Sequence, residues 1–215
     1  MEKSIQEILE LYSEFQVRAK SQRFLEKFWL RDEEITNDWG AVKNAVFSKS
    51  FKQLPDVLFN EGFEMIAQRG GTLFIEAEYL LLQECMKAAG EKFFCVVENR
   101  FIREKADNDM PYLQFKFPIC TTWTELNNGD ENYPDIAYDL LWVMNKEFFV
   151  FGDSGKWGKY AACDYYDSPL DIIGYKQDLV SIFRERFKQS KEDQEEILEW
   201  LPQQYKELIK YNPPV

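Results

Sequence analysis

The sequence predicts an α+β fold with a helical N-terminal half, an antiparallel sheet of about five strands and two C-terminal helices, forming one domain over 1–215. Three observations carry this reading. Apolar residues recur at three- and four-residue steps through the first ninety positions. From Lys92 the pattern changes to short runs of aromatic and branched residues separated by turn residues. After about residue 166 the helical spacing returns.

In order along the chain, Ile5, Ile8, Leu9, Tyr12 and Phe15 start an apolar stripe that Phe24, Leu25, Phe28 and Trp29 continue. Asp38 is an N-cap candidate for a second helix over WGAVKNAVF, and Pro55 marks the entry to a third around PDVLFNEGFEMIAQ, ended by Gly70-Gly71. TLFIEAEYLLLQECMKAAG is the most apolar helix. The runs KFFCVVE, YLQFKF, DLLWVM, EFFVFG and GKYAACDY read as strands. Ser168-Pro169-Leu170-Asp171 then reads as a helix start, with Leu170, Ile173, Leu179, Ile182 and Phe183 on its buried side, and a last helix begins at Ser190.

Composition excludes several chemistries. The chain has no histidine, so a Ser-His-Asp triad cannot be assembled within it, although Gly152-Asp153-Ser154-Gly155 matches the tetrapeptide around the nucleophile of chymotrypsin-like proteases. Lys156 and Lys159, beside that Gly-rich turn, are expected to be solvated, protonated and poor substitutes for a base. GDSG therefore reads as a hairpin turn, with Gly155 at positive φ and Asp153 and Ser154 bonding the turn backbone. Gly152, Gly158 and Lys159 imitate a phosphate-binding loop, but the spacing is wrong and Tyr160 stands where Ser or Thr should be.

The 38 acids against 26 basic residues give a net charge of −12, which disfavours nucleic acid and favours a basic protein partner. No run is long and apolar enough to span a bilayer or act as a signal peptide, so a cytoplasmic protein is expected. Cys85, Cys95, Cys120 and Cys163 lack paired metal-ligand spacing, and the acidic loops ADNDMP and GDENYPD lack the pattern of a calcium loop. No metal or cofactor is expected.

Residues 128–171 hold nine acids and three lysines, half of the net charge, interleaved with aromatics that include Tyr133, Tyr138, Trp157 and Tyr160. Aromatics rimmed by charge suit a protein contact surface, with Trp157, in its turn, as the first anchor and Tyr160, Asp153, Asp164, Tyr133, Asp135 and Tyr138 around it. The same aromatics are also what a sheet buried on both faces requires. The alternative site is Glu78, a carboxylate on an apolar helical arc, expected to pair with a base such as Arg69, Arg100 or Arg103 or to serve a carboxylate-based enzyme or a small-ligand site. Surplus aromatics forming a self-association surface of a larger assembly is the third reading.

The stretch YDLLWVMNKEFFVFGDSGKWGKYAACDYYDSPLDIIGY resembles the hairpin-rich acidic part of immunity proteins that protect bacteria against their own secreted toxins. That resemblance implies a protein without catalysis of its own whose acidic, aromatic face docks on a basic toxin and covers its active site.

Overall fold

A computed structural model describes residues 3–10, 15–70, 73–105, 111–127, 147–162, 170–209 and 212–213. Among the described residues six antiparallel strands form one sheet: β1 (Phe63–Arg69), β2 (Phe93–Glu98), β3 (Gln114–Pro118), β4 (Glu147–Gly152), β5 (Trp157–Ala162) and β6 (Leu170–Lys176). Their spatial order is β1-β6-β5-β4-β2-β3.

The helices are α1 (Lys3–Leu9), α2 (Phe15–Phe28), α3 (Asp32–Glu34) and, after a π turn over Ile35–Trp39, α4 (Gly40–Val46). Next come α5 (Glu76–Ala88), α6 (Arg100–Lys105) and α7 (Trp123–Asn127), and then α8 (Val180–Arg186), α9 (Lys191–Trp200) and α10 (Gln203–Lys206). No helix among the described residues is long and apolar enough to cross a membrane.

The sheet is covered on both faces, because each central strand is apolar at odd and even positions alike. Phe94, Val96, Phe148, Val150, Trp157, Ile173 and Tyr175 pack beneath α1, α2, α5 and α8. Cys95, Val97, Phe149, Phe151, Tyr160 and Ile172 face α4, the 47–59 segment, α9 and α10. The outer strands are guarded by isolated bridges, Trp29 to Phe115 on β3 and Met65 to Ile209 on β1, which limit open edge pairing.

Three sequence expectations need correction. The segment after Pro55 is not a helix: Gly62 has φ 82°, and the following residues alternate, Met65 and Ala67 on one face and Ile66 on the other, as a strand requires. Leu170-Asp171 opens β6 rather than a helix, because both faces of LDIIGY are buried; α8 starts only at Val180. Asp38 is no N-cap, since it lies inside the π turn between α3 and α4. DLLWVM falls outside the described residues. The strands that sequence periodicity reads as helix are thus β1 and β6, neighbours at one side of the sheet.

Gly158 and Gly174 face each other across β5 and β6. A Cβ at Gly158 would stand 2.6 Å from the Phe47 ring, and one at Gly174 would stand 2.7 Å from the Phe59 ring. These two glycines seat the stacked Phe47–Phe59 pair, whose centroids are 5.3 Å apart. Gly174→Ala is therefore expected to destabilise the fold by about 1–3 kcal/mol through overpacking, read as a lower urea midpoint.

Candidate functional site

The GDSG turn is built around a buried carboxylate. Gly155, with φ 66°, closes the β4–β5 turn as expected, and Gly155 N–H donates to the Gly152 carbonyl at 3.2 Å. Glu91, just after α5, accepts from Ser154 N–H at 2.8 Å, from Ser154 Oγ and from Trp157 Nε1 at 3.0 Å. Asp153 accepts the N–H groups of Lys92 at 2.9 Å and Phe93 at 3.3 Å. Burial first, then the neighbouring Asp153, pushes the Glu91 carboxyl up to about 7. Against the pull of burial, Asp153 is held below its ordinary value by its hydrogen bonds to Glu91 and to those backbone donors. Ser154 thus ties a turn to a strand end.

Trp157 is the first residue of β5, not a turn residue, and is 0% exposed. Tyr160 is also fully buried; its hydroxyl donates to Glu147 and accepts from Asn99 Nδ2 at 2.8 Å. Neither ring offers a surface to a partner in this fold, which corrects the expectation that they anchor one. Both are consumed by the covered sheet. Asp153 is half-buried and engaged with backbone donors. Asp164, Tyr133, Asp135 and Tyr138 lie outside the described residues.

Glu78 is 6% exposed, and its partner is not an arginine. Lys159, expected to be solvated, is instead fully buried in β5, where it ion-pairs with Glu78, reaches Asp171 Oδ2 at 2.8 Å and donates to the Leu73 carbonyl at 2.6 Å. Two carboxylates share one ammonium. Burial and the nearby Glu78 charge push Asp171 up to about 7 despite Lys159. Against the pull of burial, Asp171 and Glu78 hold the Lys159 ammonium above its ordinary range. Gly70 packs against this cluster, since a Cβ there would meet Asp171 Oδ1 at 2.8 Å. Arg69 pairs with Glu196 at 2.8 Å, and the Arg100 guanidinium lies 4.8 Å from the Tyr112 ring centroid. The side chain of Arg103 lies outside the described residues.

The structure adds a feature that the sequence did not disclose. A cavity of about 630 Å³ opens where β2 ends and β3 and β4 begin, with Lys43, Asn99, Arg100, Phe101, Tyr112 and Phe149 in its wall. Lys43 comes from α4, and its Nζ sits 3.9 Å from the Phe149 ring centroid. In sequence it is one lysine in a short amphipathic helix; no spacing marks it.

Among the described residues no group of three or more His, Cys, Asp or Glu side chains is arranged to hold a metal ion. Cys85 and Cys95 are buried free thiols, Cys120 is an exposed one, and Cys163 lies outside the described residues. No protein-family model, curated protein or solved structure matches this chain.

Proposed function

We propose that the chain is a non-catalytic protein-binding module that docks a basic partner at one end of its sheet, as an immunity protein covering a basic toxin does. What supports the reading is where the acidic connections attach. Segments 106–110, 128–146 and 163–169 hold eight acids and one lysine. They lead into β3, into β4 and from β5 to β6. The strand ends concerned are neighbours: Val97 is opposite Gln114, Glu98 opposite Phe148, Glu147 opposite Ala162, and Ala162 opposite Leu170. The strand ends to which these acidic segments are joined are therefore neighbours, and negative charge gathered beyond them would speed association with a cationic partner.

Asp135, Asp164, Tyr133 and Tyr138 belong to these connections and remain the proposed contact residues. The Glu78-centred enzyme reading is weakened, because that carboxylate is committed to Lys159.

Affinity capture from the source organism tests the proposal, with Asp135→Lys/Asp139→Lys/Asp164→Lys compared against a control triple, Glu192→Lys/Glu195→Lys/Glu199→Lys on α9. A basic protein held by the native chain and the control, lost from the first triple and weakened by salt, is the expected result. Equal retention by both triples overturns this docking edge.

A further inference from the structure

The cavity beside α4 contains cations whose charge no described acid in its wall answers. Those acids are otherwise engaged: Glu7 pairs with Lys3 at 3.3 Å, Asp32 accepts from Gln114 Nε2 at 2.7 Å, and Glu98 accepts from Leu113 N–H at 2.9 Å. Lys43 and Arg100, by contrast, touch aromatic faces, Phe149 and Tyr112, and neither has a carboxylate partner among the described residues. Burial first, then the like charge of Arg100, pulls the Lys43 amine down to about 8. For the half-buried Lys43 a ring face returns only about 0.5–2 kcal/mol, well short of a desolvated counter-ion, whereas the exposed Arg100 is also met by solvent. The volume lies within the range of small-molecule sites, and Phe51, Phe101, Tyr112 and Phe149 supply apolar wall.

We propose that this cavity binds the oxyanion group, carboxylate or phosphate, of a small molecule with a flat apolar body, with Lys43 and Arg100 as its counter-ions. The guanidinium supplies two parallel N–H donors to two oxygens of the group, and the ammonium supplies a point charge. The aromatic walls take the body. An anion between Lys43 and Arg100 offsets their mutual repulsion, so ligand binding and protonation of Lys43 favour each other. The inference does not rest on the partner-docking reading, although the cavity opens at strand ends into which the acidic connections lead.

Benzoate and phenyl phosphate are the probes, titrated into the full chain and followed by amide and ¹³C-dimethyl-lysine NMR, which reports the Lys43 titration directly. The expected result is saturable shifts at cavity residues with at least one probe, and the two arms distinguish carboxylate from phosphate. Saturation should raise the Lys43 midpoint, and affinity should fall at least threefold between pH 7 and pH 9.5, as the amine loses its proton. The other titratable groups facing the cavity are Glu7, Asp32, Glu98 and Tyr112, so the Lys43 resonance rather than affinity alone assigns the pH dependence. Lys43→Met, which keeps the packing on Phe149, and Arg100→Gln, at an exposed position, should each weaken binding about tenfold or more with an unchanged melting temperature. If Lys43→Met fails to fold, Arg100→Gln and the native Lys43 midpoint still decide. Absence of saturable shifts with both probes, or retention of full affinity in the Arg100→Gln variant with no movement of the Lys43 midpoint, overturns the proposal.

Discussion

Lys159→Met is expected to cost about 3–5 kcal/mol at neutral pH, because it leaves the Glu78 and Asp171 carboxylates inside the core without their shared ammonium. Methionine fills the space but supplies no charge and no donor to the Leu73 carbonyl. The cost should depend on pH in a definite direction. Asp171 titrates near 7 in the folded chain against an ordinary 3.8, so between those values the folded state holds more protons than the unfolded one, and stability falls as pH rises. Lys159 is the chief influence holding that value down; its loss moves the Asp171 midpoint upward and extends the fall to higher pH. Urea unfolding at pH 5, 7 and 9 should therefore show the smallest deficit at pH 5. The neutral triple Lys159→Met/Glu78→Gln/Asp171→Asn should recover much of the loss and flatten this part of the profile. A single variant within about 1 kcal/mol of the native chain at pH 9 would mean that water reaches the site and that the pair is not buried in solution.

This cluster also shows where sequence reasoning runs out. Glu78 is visible as a carboxylate on an apolar arc of α5, and its need for a cation follows from that position. The identity of the cation does not follow, because Lys159 stands beside two glycines and Trp157 in a stretch that reads as a solvated turn. Only the strand register turns Lys159 inward with Trp157 and Ala161, toward α5. Tertiary register likewise decides β1 and β6. Leu170 and Ile173 are three apart and suggest a helix, yet strands pair on both sides and a packed layer covers each face, burying every position from Leu170 to Tyr175, a demand that no local window contains. The runs FFCVVE and EFFVFG of the inner strands, and QFKF at the sheet's edge, are legible because aromatic and branched residues crowd them. Trp157 misled for the same reason: a large ring next to a turn looks unpartnered until Glu91, 66 positions earlier, is placed against its N–H.

That contact defines the second large effect. Glu91→Ala should cost about 2–4 kcal/mol at pH 5, and less as pH rises past 7, since it removes the acceptor of the buried Trp157 N–H and releases Ser154 from the turn. Glu91→Gln separates hydrogen bonding from charge. In the native chain Glu91 titrates near 7 in the folded state and near 4.5 when unfolded, so its contribution to stability falls as pH rises through that interval, at a slope of up to about 1.4 kcal/mol per pH unit. Asp153 acts oppositely: its folded value lies below 3.8, and the stability it adds is lost as pH falls through that region. The two carboxyls therefore favour a state in which one proton lies between them. Glutamine keeps an acceptor for Trp157 and offers Asp153 a permanent donor, but its amide group opposes Ser154 N–H. The Glu91→Gln variant should thus be less stable than the native chain at pH 5 by about 1–3 kcal/mol and at least equal to it at pH 9, with the two profiles crossing. The Trp157 indole ¹H–¹⁵N resonance supplies a local readout: it should titrate with a midpoint near 7 in the native chain and stay fixed in Glu91→Gln. Parallel stability profiles, or an indole resonance that ignores pH in the native chain, would place the proton elsewhere and reduce Glu91 to an ordinary ionised acceptor.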